Sequence, residues 1–118
     1  MLENFEIKKI YKGKIPNLPF NLIKDAILGK NYSLSLVFSD KKLATEMHKE
    51  WKKKNDPANV LSFPLDKKSG EIFIYPKDNP VAYLFIHGCV HLKGFDHGKE
   101  MDLLEAKFCK KFGIDIEQ

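Results

Sequence analysis

The sequence predicts an α+β fold of about four strands, with helices packed mainly on one face of the sheet. Three observations lead to this prediction: segments in which apolar residues alternate, segments in which they recur three and four residues apart, and prolines and glycines between the two kinds. At 118 residues the chain has the usual size of one domain. We therefore expect a single domain over residues 1–118.

The first half of the chain predicts two strand–helix pairs. Alternating apolar residues indicate strands at residues 5–11, with one offset, and at residues 32–38. Between them, residues 20–29 have helical spacing and end at a glycine. Asp40, with Ser39 before it, can cap a second helix, which should stop in the polar segment before Pro57.

The second half predicts two more strands and two more helices. The strands are residues 60–65 and 71–75, and the short link between them favours an antiparallel hairpin, since a parallel pair needs a longer crossover. A helix should begin at Asn79, with proline at its first turn, and run to about Lys93. The last helix should cover residues 99–111.

The composition excludes several classes of protein. The chain is 43% hydrophobic and 31% charged, which is ordinary for a globular domain and argues against disorder. No apolar stretch approaches the roughly 20 residues that span a bilayer, and the amino terminus lacks the features of a signal peptide. We expect a cytoplasmic protein without a membrane partner. The net charge of +4 favours an anionic partner such as nucleic acid, although every basic residue is lysine, which weakens that inference.

Three of the four histidines lie close together, at His87, His91 and His97. Residues four apart share a helical face, so His87 and His91 can direct two imidazoles at one point. Gly94 can take the positive φ that ends a helix, which would bring His97 round as a third ligand. Three protein nitrogens with an open fourth position are typical of catalytic zinc, whereas structural zinc usually has four protein ligands. The spacing therefore predicts one divalent ion, zinc.

The other interpretation is that these histidines are hydrogen-bonded core residues. A cysteine could supply a fourth ligand, but Cys89 points about 200° away from His87 on a regular helix. We therefore expect Cys89 and Cys109 to be free thiols that fill the core. His48, on a lysine-rich helix, is interpreted as a solvated surface side chain.

The order of histidines and glycine also matches the metzincin proteases, which carry a glutamate directly after the first histidine as general base. Gly88 occupies that place in this chain. Without the carboxylate, peptide hydrolysis lacks its base.

The segment from His87 to His97 closely resembles the signature of the YbeY-type endoribonucleases, the bacterial rRNA maturation factors. Other segments resemble further motifs of that family: residues 51–64, residues 70–74, and Met101, Leu104, Glu105 and residues 112–114 near the carboxyl end. The resemblance extends over most of the chain from about Tyr32. It implies an α+β fold with a zinc site at the mouth of a positively charged cleft, and cleavage of single-stranded RNA, in particular rRNA, during ribosome maturation and quality control. Ribosomal small-subunit proteins or GTPases are the protein partners that it implies.

These observations suggest a working hypothesis for catalysis. A zinc ion held by the three histidines would polarise a phosphoryl oxygen or lower the pKa of a bound water, and Lys52 would stabilise charge that develops on the phosphate. Asp96 can orient a ligand imidazole or handle a proton, or it is a solvated turn carboxylate. Further contacts with RNA are expected from the residues that follow Lys52 and from the next strand: Lys53, Lys54, Asn59 and Ser62.

Three positions depart from the usual family pattern. Lys52 stands where arginine is usual, and it keeps the charge but loses the bidentate fork that grips a phosphate. Ala58 and Glu71 stand where threonine and aspartate are usual. The lysines from Lys52 to Lys54 can also be read as a solvated helix end, where positive charge suits the helix dipole.

Two rival functions stay open at this point. One is a metal-dependent peptidase-like hydrolase, favoured by the histidine spacing and opposed by Gly88. The other is a non-catalytic ribosome assembly factor in which zinc stabilises the fold. Removal of the metal separates a catalytic from a structural role: loss of RNA cleavage with the fold retained supports catalysis, whereas unfolding supports a structural zinc.

Overall fold

A computed structural model describes residues 4–53, 58–76, 80–95 and 98–114. These residues form one four-stranded mixed sheet and four helices, in agreement with the predicted α+β class. The strands, in chain order, are β1 (Phe5–Lys9), β2 (Ser33–Phe38), β3 (Val60–Asp66) and β4 (Ser69–Ile74). The helices are α1 (Phe20–Leu28), α2 (Lys41–Lys52), α3 (Val81–Lys93) and α4 (Lys99–Lys111).

The order of strands in the sheet is β1-β2-β4-β3. β2 is parallel to both β1 and β4, and β3 pairs with β4 in the antiparallel hairpin that the short link predicted. This order leaves β3 at one edge of the sheet, although it lies in the middle of the sequence. The edge strand β3 forms part of the candidate site described below.

Strand β1 is shorter than expected and its apolar residues are mostly not buried. It ends at Lys9, and the backbone N–H groups of Ile10 and Tyr11 both donate to the carbonyl of Phe38. Ile7 is 48% exposed, although it alternates with Phe5, which packs against the core. The alternation therefore identified the strand correctly but not its burial, because β1 is the other edge strand.

Local capping explains where two of the helices begin and end. The side chain of Asp40 accepts a hydrogen bond from the backbone N–H of Leu43 at 2.9 Å, as predicted for the start of α2. Gly94, with φ of 116°, ends α3 in the left-handed region. At the start of α3, Pro80 precedes the first helical residue and makes no side-chain cap. The predicted cap residue Asn79 lies outside the described residues.

The core lies between the central strands and three of the helices. Its apolar side chains come from β2, β4, α1, α3 and α4, with Leu36, Phe38, Ile72, Ile74, Ile23, Ile27, Phe85, Ile86, Met101 and Phe108 among the largest. Cys89 and Cys109 are buried free thiols, as predicted. Helix α3 contacts α1, α4 and the β3–β4 hairpin, so it is the element that connects the core to the sheet edge. Among the described residues, no helix is long and apolar enough to cross a bilayer.

Helix α2 is placed differently from the other three. The ring of Trp51, near its carboxyl end, contacts the ring of Phe63 in β3, which in turn contacts Phe73 in β4. Phe73 alternates along β4 with the core residues Ile72 and Ile74, so these rings lie on the face of the sheet that α3 does not cover. The end of α2 therefore reaches the β3 edge from the opposite side.

Candidate metal centre

Helix α3 places His87 and His91 one turn apart, with ring centroids separated by 4.7 Å. Both side chains are half-buried and line a cavity of about 650 Å³ between α3, strand β3 and the end of α2. The predicted pairing of two imidazoles on one helical face is therefore present. A cavity with two converging imidazoles is a suitable place for a divalent ion.

The Nδ1 atom of each imidazole has a defined partner. Nδ1 of His87 lies 2.5 Å from Oε2 of Glu105, and Nδ1 of His91 lies 2.9 Å from the backbone carbonyl of Phe95. Histidines that bind metal usually donate one ring N–H to a carboxylate or a carbonyl, which fixes the tautomer and the ring orientation. With Nδ1 as the donor in both rings, Nε2 would be the nitrogen that binds a metal ion. The two imidazoles of α3 are therefore oriented as metal-binding histidines usually are.

Glu105 was not recognised from the sequence as part of this site. Its side chain is 4% exposed, and its other carboxylate oxygen accepts a hydrogen bond from the hydroxyl of Tyr83 at 3.1 Å. Burial and the nearby charge of Glu105 raise the pKa of Tyr83 to about 12, so the phenol stays a donor. A usable signal was present: Glu105 lies one turn after Met101 and one turn before Phe108, on the apolar face of α4.

His97 and the neighbouring Asp96 both lie outside the described residues. Gly94 does end α3 and turn the chain there, as the prediction of a third ligand requires. Within residues 4–53, 58–76, 80–95 and 98–114, no three His, Cys, Asp or Glu side chains are grouped so that they could hold a metal ion.

The residues predicted to contact RNA occupy different positions. Lys52 and Ser62 line the same cavity as the two imidazoles. Lys53 is exposed and ends α2 with φ of 58°, and Asn59 is exposed while its backbone carbonyl accepts from the N–H of Tyr75. Lys54 lies outside the described residues.

The contact between Ser62 and Gly88 explains why the latter is a glycine. The hydroxyl of Ser62 donates to the carbonyl of Gly88 at 3.1 Å. A Cβ atom at position 88 would lie 3.0 Å from both Oγ of Ser62 and Cδ1 of Ile72. The helix thus approaches the sheet closely at this position, and any larger side chain, including the glutamate of a metzincin, would require the side chains of Ser62 and Ile72 to shift.

The interpretation of His48 as a solvated surface side chain was wrong. His48 is half-buried and lines the cavity together with Trp51, Lys52 and the imidazoles of α3. Helical spacing alone placed it among lysines, whereas the packing of α2 beside β3 turns it toward the cavity. No role in the site was predicted for Trp51, which is the first residue of the segment 51–64 that resembles a family motif.

The two other departures from the family pattern lie away from the imidazoles. Ala58 is buried, and its backbone N–H donates to the carbonyl of Ala44 at 3.4 Å, which connects the chain after α2 back to that helix. Glu71 lines a separate cavity of about 530 Å³ over the β1–β2–β4 part of the sheet. Neither residue is among those that line the cavity of His87 and His91.

The mixed sheet and the paired, oriented imidazoles define a small α+β protein with a candidate metal-binding cavity. The family model described as Endoribonuclease YbeY matches residues 3–112 of the chain. The chain therefore belongs to the YbeY family.

Curated relatives and a solved structure agree with this assignment. The chain is 35% identical over 104 residues to "Endoribonuclease YbeY" of Ehrlichia canis, covering 69% of this chain and 68% of the relative. It is 33% identical over 119 residues to the protein of the same name from Pelagibacter ubique, covering 80% and 78%. The solution structure of a Thermotoga maritima protein has the same fold, with a TM-score of 0.59 over 90% of this chain and 88% of the other at 23% identity.

Proposed function

We propose that this protein is a zinc-dependent endoribonuclease that cleaves single-stranded RNA in rRNA maturation and ribosome quality control. The observation that carries the proposal is the pair of imidazoles, His87 and His91, oriented through Nδ1 inside an open cavity that also contains Lys52. Membership of the YbeY family supports RNA as the substrate. Ribosomal small-subunit proteins or GTPases are the proposed protein partners.

The proposed ligands of one zinc ion are Nε2 of His87, Nε2 of His91 and the imidazole of His97. Bound zinc would supply a Lewis acid for a phosphoryl oxygen and would lower the pKa of a water molecule at its open position. Glu105 and the Phe95 carbonyl hold the two imidazoles of α3 in the orientation and tautomer that binding requires. Asp96 is proposed to support His97 in a similar way.

The remaining residues bind and orient the RNA. Lys52, exposed at the cavity wall, would stabilise negative charge that develops on the scissile phosphate. Lys53 and Lys54 follow it and would neutralise neighbouring phosphates, which predicts binding that weakens as salt increases. Asn59 and Ser62 would add polar contacts, although the hydroxyl of Ser62 also holds β3 against α3.

The test begins with protein purified without a metal-chelating tag. Bound zinc is measured by elemental analysis, and cleavage is measured on single-stranded RNA and on a duplex of the same sequence. We expect stoichiometric zinc and cleavage of the single strand, and we expect His91→Ala to lose both. His48→Ala is the matched control, because it removes an imidazole from the same cavity that is not a proposed ligand.

Three other results would each contradict a part of the proposed function. Zinc without any cleavage by the wild type would favour the assembly factor, especially if a chelator unfolds the protein as followed by circular dichroism. Equal loss of zinc in His48→Ala and His91→Ala would show that the proposed ligand set is wrong. Absence of bound metal from the wild type would refute the metal centre.

A further inference from the structure

Trp51 is a large apolar side chain on the surface. It is 59% exposed, although indoles are usually well buried because they carry a large apolar area. Its ring contacts Phe63, with centroids 5.4 Å apart and planes inclined at 60°, and Phe63 contacts Phe73 at 5.8 Å. The indole is therefore supported from the protein side by two further rings while much of its surface faces solvent.

The supported indole shares the cavity of the candidate metal centre. Trp51 and Phe63 line that cavity together with His87 and His91. Lys52, the next residue, lines it as well and provides a positive charge beside the ring. An aromatic surface next to a cation suits a ligand that alternates flat rings with negative charges, which describes a strand of nucleic acid.

We propose that Trp51, supported by Phe63, stacks on a base of the RNA strand bound in this cavity and thereby selects single-stranded RNA. The inference rests on the proposed function, because it requires RNA to enter the cavity. Bases within a duplex are stacked on their neighbours on both sides, whereas a single strand can turn a base face toward a protein ring. Trp51 is thus a specificity-determining residue that binds substrate away from the reacting phosphate.

The experiment uses the intrinsic fluorescence of Trp51, which is the only tryptophan in the chain. The probe is a short oligouridylate, titrated into the full chain as purified at low temperature, with gel electrophoresis of the same samples to verify that the strand stays intact during the measurement. We expect saturable quenching of the indole emission, and much weaker quenching by the same strand annealed to oligoadenylate. Binding that is detected by the anisotropy of a labelled strand but leaves the indole emission unchanged would overturn the proposal.

Two substitutions at the same position separate stacking from general apolar contact. Trp51→Leu should weaken binding of the oligouridylate by about 5- to 150-fold, the range expected for loss of one stacked base. Trp51→Phe should recover most of that loss, since phenylalanine still offers a ring. Leu103→Ala, which removes another strongly exposed apolar side chain on α4, is the control and should bind as the wild type does.

Leucine keeps an apolar cover over Phe63, and melting temperatures of the variants confirm that each is folded. Unchanged affinity in Trp51→Leu would overturn the proposal. The result can be separated from a failure of the proposed function. Cleavage by zinc-loaded protein without quenching refutes stacking alone, whereas quenching without cleavage supports stacking and refutes the ribonuclease.

Discussion

Replacement of Glu105 by glutamine should weaken zinc binding more than its small change in shape suggests. The buried carboxylate accepts two hydrogen bonds, from Nδ1 of His87 at 2.5 Å and from the hydroxyl of Tyr83 at 3.1 Å. A glutamine side chain offers one acceptor oxygen and one donor NH₂ group. If the NH₂ group faces His87, Nδ1 must accept, and the ring proton moves to Nε2, the nitrogen proposed to bind zinc.

The loss of the negative charge weakens zinc binding in either orientation of the amide, and the orientation with NH₂ toward His87 adds the effect of the tautomer change. Removal of the carboxylate partner of a metal-binding histidine typically reduces metal affinity about 10- to 100-fold, which corresponds to about 1.4–2.7 kcal/mol. The buried position of Glu105 places the expected value in the upper half of that range, because little water is available to replace the lost partner.

Zinc affinity is measured by competition with a chromophoric chelator, with the melting temperature of the apoprotein recorded on the same samples. Glu100→Gln is the matched control, because it removes the same charge from an exposed position on the same helix. Tyr83→Phe removes the second hydrogen bond but leaves the contact with His87, so its effect should be smaller. If Glu105→Gln bound zinc as tightly as Glu100→Gln, the orienting role of Glu105 would be refuted.

Two further predictions concern packing and buried thiols. Gly88→Ala should lower the midpoint of urea denaturation. Overpacking against Ser62 and Ile72 costs about 1–3 kcal/mol, whereas the gain in helix propensity is only about 1 kcal/mol. An increased midpoint would contradict the close approach of α3 to the sheet. Burial, with a smaller contribution from the charge of Glu105, raises the pKa of Cys109 from 9.0 to about 11. The neutral thiol therefore stabilises the folded state fully below pH 9.0, and this stabilisation is lost as the pH rises through about 11. That loss amounts to roughly 2–3 kcal/mol, and Cys109→Ala should make the fall in unfolding free energy over this pH range less steep than in the wild type. An equally steep fall would show that the thiol of Cys109 does not titrate with unfolding.

Much of the fold was predictable because its signals are local. Among the described residues, alternation identified β1 and β2, and proline and turn residues marked β3 and β4. Helical spacing identified α1, α2 and α4, and the proline and glycine at its two ends marked α3. The cap at Asp40 and the glycine at the end of α3 gave accurate boundaries. The pairing of His87 with His91 was predictable for the same reason, since it depends only on the pitch of one helix. The short β3–β4 link likewise decided that this pair is antiparallel.

Other features depend on contacts between residues far apart in the chain, and the sequence did not determine them. The strand order β1-β2-β4-β3 and the exposure of Ile7 follow from how whole elements pack. Lys24, on the apolar face of α1, is 1% exposed, and its amine reaches Oδ1 of Asp25 and the carbonyl of Lys30 instead of solvent. No local pattern indicates that a lysine is buried in this way.

In the candidate site, too, some features follow from local helix geometry and others from packing between distant elements. The sequence by itself determined that two imidazoles share a helical face next to a glycine stop, because that arrangement requires only the geometry of a helix and its end. Only the tertiary structure brought Glu105 from α4 to His87 and placed Trp51 and His48 beside the same cavity. These contacts join different elements, and their geometry depends on how closely α3 approaches the sheet and on which edge β3 occupies. Both depend on the packing of the entire core, which no short segment of sequence specifies.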